Sequence, residues 1–155
     1  MQTRISFSPA KFEGIYKAMV GLSAVVRASG IEKPLLELVK MRVSQINGCG
    51  YCLDMHSKDA RAAGETEQRL YLLQVWRETS LYTERERAAL AWAEAVTRLT
   101  DQHVPDAVYT QVAAVFDEAE IAALTLAIVE INGWNRICIS FNAVPGDYRV
   151  GQHAA

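Results

Sequence analysis

The residues of this chain whose types and spacing suit them to chemistry stand together in "INGCGYCLDMH", Ile46 to His56. Cys49 and Cys52 are three apart and His56 follows four residues after the second. Gly48 breaks the helical pattern before them, so the dithiol falls at the start of the next helix, where unpaired backbone N–H groups and the positive end of the dipole favour a thiolate. The thiolate is the attacking species, and a lowered pKa raises its share near neutral pH. Residues four apart share a helix face, which stacks His56 over Cys52 as its base or charge partner. Cys52 is therefore read as the nucleophile. The first cysteine of such a motif lies nearer the helix terminus, however, and that consideration alone would exchange the two roles.

If the helices on either side of Asn47 and Gly48 fold back on one another, Glu37 lies ~15 Å before the turn and His56 ~12 Å after it. Glu37 is off the apolar stripe of its helix, so a relay from Glu37 to His56 to Cys52 is geometrically allowed, the carboxylate orienting the imidazole and raising its basicity. The competing reading makes Glu37 a solvated residue paired with Lys40. For the cysteines, two alternatives to redox chemistry remain open. A closed zinc site needs four ligands, which Cys49, Cys52, His56 and the distant Cys138 supply in number. The thiols can also be simple packing, and Cys138, within an apolar helix, reads as a core filler. His103 falls in a loop and His153 in the tail, where both read as surface residues.

The elements that must position these groups read as helices. Ser8 and Pro9 open a first helix that ends near Gly30. Pro34 opens a second, with Leu35, Leu38, Val39, Val43 and Ile46 at helical spacing and a stop at Asn47 and Gly48. A third runs from about Gly50 to Ala63 before Gly64, and a fourth from Thr66 to Trp76 with Leu72, Val75 and Trp76 on one side. Thr83 and Glu86 form a capping-box pattern ahead of the stripe Ala89, Trp92, Ala93, Val96 and Leu99. A short helix follows Pro105, and Asp117 with Glu120 marks the start of a long last helix reaching toward Asn142. The tail after Pro145 reads as loop. No alternating strand pattern occurs, so the expected class is all-α, with six to seven helices in one domain over residues 1–155. The last helix is apolar nearly all round and needs cover on several faces, which points to a homo-oligomer.

Composition narrows the function. Lys+Arg (16) nearly balance Asp+Glu (18) among 155 residues, so no basic field draws in nucleic acid or an anionic membrane. The most apolar run, Ile121 to Ile131, is shorter than the ~20 residues a membrane span needs and contains Glu130. The start has no continuous apolar segment of the secretory kind, and three cysteines are too few and odd in number for a disulfide scaffold, so a cytoplasmic protein is expected. A thioredoxin-type setting is disfavoured because that motif follows a strand.

The stretch "ELVKMRVSQINGCGYCLDMHSKDAR", Glu37 to Arg61, resembles the core of the AhpD-like alkylhydroperoxidases in the carboxymuconolactone decarboxylase superfamily. Their pattern is a glutamate, eleven residues, CxxC, three residues and a histidine, matched by Glu37, Cys49, Cys52 and His56. "YTERERAALAWAEAVTRLT" and "WNRICISFNAVPG" resemble the family too. The resemblance implies an all-α fold assembled as trimers or hexamers and a thiol peroxidase reaction needing no metal or haem. By it, Cys52 attacks the peroxide and becomes a sulfenic acid, Glu37 and His56 move the proton, and Cys49 closes a disulfide. A dithiol donor, in relatives a lipoyl-bearing protein, reopens it, and a peroxiredoxin is a possible oxidised partner. The family prototype has a histidine immediately before its second cysteine, where this chain has Tyr51. The decarboxylase branch generally lacks the CxxC. The other readings carried forward are a dithiol electron relay, a redox sensor and a zinc-stabilised helical module.

Overall fold

A computed structural model describes residues 2–99 and 103–153. Among them are seven α-helices, one 3-10 segment and no strand. The helices are α1 (Pro9–Arg27), α2 (Lys33–Asn47), α3 (Gly50–Ala62), α4 (Glu67–Leu72), α5 (Glu84–Thr97), α6 (Asp106–Ala113) and α7 (Glu118–Phe141), with the 3-10 segment Leu73–Glu78 after α4. The all-α expectation holds, and none of the described helices is long and apolar enough to cross a membrane.

Several boundaries follow from local chemistry. Thr83 accepts from the Glu86 N–H while the Glu86 carboxylate accepts from the Thr83 N–H, a complete capping box. Asp117 and Glu120 repeat it at the head of α7. Both pairs satisfy backbone donors that a helix start leaves unpaired. Ser8 precedes α1 in extended backbone as expected, but its side chain makes no capping bond.

Two expectations need correction. The fourth helix tightens into 3-10 geometry at Leu73, with Val75 outside helical backbone angles. Residues three apart then share a face, so Leu73 and Trp76 go inside while Val75 is 43% exposed. On α5 the buried run ends at Ala95, and Leu99, beyond the helix end, is 55% exposed.

The central helix is α2, packed against α3, α5 and α7. Every residue from Leu35 to Ser44 is buried, including four polar ones that must find partners in a medium without water. They do so on three different neighbours. Glu37 bonds His56 of α3, and Lys40 stands 3.8 Å from Glu130 of α7. Arg42 donates from Nε to Glu94 of α5 at 2.7 Å, and Ser44 accepts from Asn135 of α7 at 3.0 Å. Fully buried Leu38, Val39, Val43, Leu73, Leu90, Leu124, Ile128 and Ile131 fill the space around this frame, each contributing roughly 1.5–3 kcal/mol of burial. On α7, Leu124, Ile128 and Ile131 are inside, whereas Val129 is 51% exposed.

Glu94 ties three elements together, accepting from Arg42, Trp76 and Arg77. Burial opposes its ionisation, but the bonds from Arg77 and Trp76 and the charge of Arg42 outweigh that and hold its pKa below the usual glutamate value. Removing the carboxylate leaves Arg42 buried without its counter-charge, which costs about 3–5 kcal/mol. Glu94→Ala is therefore expected to lower the urea unfolding midpoint by a corresponding amount. A loss under about 1 kcal/mol, the value of a solvent-exposed pair, would refute this account.

Candidate active site

The chain enters the site through a tight turn. Gly48 caps α2 in left-handed backbone at φ 70°, a conformation glycine adopts without a Cβ penalty. The Cys49 N–H reaches back to the Ser44 carbonyl at 3.0 Å. Asn47 donates to the side-chain oxygens of Asn132 and Asn135 on α7 at 3.0 and 2.8 Å, and Asn135, wholly buried, also holds Ser44. The end of α2 that delivers the cysteines is thereby pinned to α7 through Ser44 and Asn47.

Cys49 is the N-cap of α3, its sulfur accepting from the Cys52 N–H at 3.4 Å. Cys49 and Cys52 are paired as a disulfide with Cα atoms 5.4 Å apart, and both are buried. One turn further along α3, His56 is 5% exposed and its Nδ1 lies 2.8 Å from Glu37 Oε2, with Glu37 7% exposed. Burial works against the Glu37 charge, but the His56 hydrogen bond and the positive charges of His56, Lys40 and Lys33 hold its pKa below 4.5. An ionised carboxylate only accepts, so Nδ1 carries the proton whether the ring is neutral or charged, and in the neutral ring Nε2 is the free acceptor. The reading of Glu37 as a solvated partner of Lys40 is corrected: Glu37 is buried against His56, and Lys40 turns to Glu130.

A cavity of about 300 Å³ borders the carboxylate end of this pair, lined by Pro34, Glu37, Ala60, Arg69, Thr83 and Glu86. The C-terminal segment lies along α3. Lys58 donates to the Gly146 and Tyr148 carbonyls, the Gly146 N–H reaches Asp54, and Tyr148 donates to Asp59. His153 stacks on Tyr148 and lies 3.0 Å from the Tyr51 hydroxyl. Burial raises the Tyr51 pKa above 10, so its phenol stays protonated near neutral pH.

Of the four residues singled out from the sequence, Cys49 pairs with Cys52 at the start of α3 and His56, one turn further along, pairs with Glu37 of α2. The four-ligand zinc set does not gather at one point. The sulfurs of Cys49, Cys52 and Cys138 lie within 4.8 Å of one another, while His56 groups with Glu37 and Asp59. His103 is exposed, as expected of a surface loop residue. Sequence reasoning missed that Cys138 borders the dithiol and that His153 contacts Tyr51. With Cys52 and Cys138 86 positions apart, no spacing rule signals the contact.

Comparison with known proteins bears on the family and the fold. The family model for the carboxymuconolactone decarboxylase family matches residues 13–95, and the chain belongs to that family as an AhpD-like member. It is 43% identical over 140 residues to the uncharacterized protein YdfG of Bacillus subtilis, spanning 90% of this chain and 95% of that one. A shorter likeness, 41% over 46 residues, links 30% of it to 25% of alkyl hydroperoxide reductase AhpD from Bradyrhizobium diazoefficiens. The crystal structure of an Agrobacterium tumefaciens protein of unknown function, proposed to be an AhpD-type antioxidant defence protein, superposes with TM-score 0.90 at 40% identity. It covers 95% of this chain and 100% of its own.

The buried pair makes stability depend on acidity. The Glu37 pKa is lowered on folding, so its contribution is fully present above the unfolded value of 4.5 and is lost as pH falls through the lower folded value. Unfolding measured from pH 7 to pH 3 should show stability falling below about pH 4.5 in the wild type. Glu37→Gln, which removes that titration, should lose less over the same range; an unchanged profile would contradict the pairing.

Proposed function

We propose that this protein is a thiol-dependent peroxidase and disulfide reductase that reduces alkyl hydroperoxides, or reduces a peroxiredoxin partner, through Cys49 and Cys52. The observation that carries the reading is the buried Glu37–His56 hydrogen bond, one helical turn from Cys52. A purely structural thiol pair has no need of a buried, charged acid-base partner, whose desolvation is costly unless it is used or fully compensated.

In the reduced protein, His56 Nε2 accepts the Cys52 thiol proton, and Glu37 stabilises the imidazolium that forms. The Cys52 thiolate attacks the distal oxygen of the hydroperoxide and the O–O bond breaks. The sulfur becomes sulfenic, and His56 returns the proton to the departing alkoxide as alcohol. Cys49 then attacks the Cys52 sulfur, water leaves, and the disulfide forms. An external dithiol, a lipoyl group being one chemical class that fits, reopens it by exchange through a mixed disulfide. Assembly into trimers or hexamers, with the exposed side of α7 covered by another copy, belongs to the same reading, as do a single domain and a cytoplasmic setting.

One observation favours a second assignment of roles. Cys49 occupies the N-cap, and its sulfur already accepts the Cys52 N–H, a contact that stabilises a thiolate there. In that version Cys49 attacks and Cys52 resolves.

Peroxide consumption with dithiothreitol as reductant decides among these. Cys52→Ser is expected to abolish turnover of cumene hydroperoxide, while Cys49→Ser retains a single oxidation per chain. The reverse pattern transfers the nucleophile to Cys49. If neither substitution changes the rate, the peroxidase reading fails, and fast disulfide exchange without peroxide loss would make the protein an electron relay. His56→Ala and Glu37→Gln should slow the oxidation of Cys52 by about 10²–10⁴-fold and less than that, respectively, measured by stopped-flow with one equivalent of peroxide.

A further inference from the structure

Cys138 lies outside the reaction just described, yet its sulfur is within 4.8 Å of those of both Cys49 and Cys52. It comes from the last turn of α7, where its carbonyl accepts the Ala143 N–H at 2.9 Å, and α7 packs directly on α3. It is a free, partly buried thiol. A disulfide requires its sulfurs at about 2.05 Å, so at most roughly 2–3 Å remains to be closed between Cys138 and either partner.

We propose that Cys138 is a third redox thiol of this site, forming a disulfide with Cys52 whenever Cys49 is unavailable, for example while Cys49 is held in a mixed disulfide with the reductant. The inference rests on the peroxidase reading for the origin of the Cys52 sulfenic acid. The S–O bond of that acid breaks and an S–S bond forms between Cys52 and Cys138. The hydroxyl group leaves with the Cys138 proton as water, so the Cys52 sulfur is reduced as the Cys138 sulfur is oxidised. The oxidant throughout is the hydroperoxide, and the product is reopened by the same class of dithiol.

Burial pushes the Cys138 thiol up to about 11, which keeps it protonated near neutral pH and lets Cys49 close the ring first. Cys138 is thereby a reserve. Its value lies in what it prevents, since a sulfenic acid without a neighbouring thiol is exposed to further, irreversible oxidation to sulfinic acid.

The test compares Cys49→Ser with Cys49→Ser/Cys138→Ala, each reduced, buffer-exchanged and treated separately with diamide, with one equivalent of cumene hydroperoxide and with an excess of it. Serine keeps an N-cap acceptor at position 49, and circular dichroism checks that both variants fold. Non-reducing peptide mapping should find Cys52 linked to Cys138 in the single variant with both oxidants. Cys52 sulfinic acid should be several-fold more abundant in the double variant after excess peroxide. Absence of the linked peptide with diamide overturns the proposal. Equal sulfinic acid in both variants without linkage overturns it while leaving the peroxidase reading intact. Linkage by diamide with Cys52 inert to peroxide supports the third thiol and refutes Cys52 as the attacking thiol instead.

Discussion

The structure depends on a helix that is buried on every side and yet carries polar residues. α2 runs through the centre of the bundle with Glu37, Lys40, Arg42 and Ser44 all withdrawn from water. An apolar central helix can rotate or slide with little penalty, because hydrophobic contact is not directional. A helix with four buried polar groups cannot, since each unpaired group costs ~1–3 kcal/mol and each unpaired charge more. Glu94 sets α5, Glu130 and Asn135 set α7, and His56 sets α3, so one set of constraints orients the three neighbours at once.

The functional site is one member of that set. Glu37 and His56 fix the register between α2 and α3, just as Arg42 and Glu94 fix α2 against α5, and the same bond that locks the helices also holds the imidazole in one tautomer. The site therefore has a scaffold made of regular helix rather than loop, and the dithiol sits at a capped helix start pinned by Asn47 to α7. The same residues thus serve the packing of the helices and the candidate site. Its open side is the cavity beside the carboxylate, while the C-terminal segment lies along α3 through Lys58, Asp54 and Asp59.

Much of the fold was legible because the signals are local. The two capping boxes, the Pro-led starts and the Gly48 stop each depend on a few neighbouring backbone groups, and the helices begin and end near where those signals fall. Where local reasoning failed, the cause was geometry beyond a few residues. The switch to 3-10 winding at Leu73 turned Val75 outward, and the buried stripe on α5 stopped short of Leu99, which lies beyond the helix end and is exposed.

The sequence by itself determined the helical class, the position of the dithiol at a helix start and the alignment of His56 with Cys52, since each follows from spacing along one helix or across one turn. Only the tertiary structure decided between Glu37 as a solvated partner of Lys40 and Glu37 as the buried partner of His56, because both contacts are sterically open to an isolated pair of helices. The same holds for Cys138, whose sulfur meets the dithiol through the packing of α7 on α3. Residues distant along the chain become neighbours only when burial of the whole core fixes how helices lie, and no short spacing encodes that.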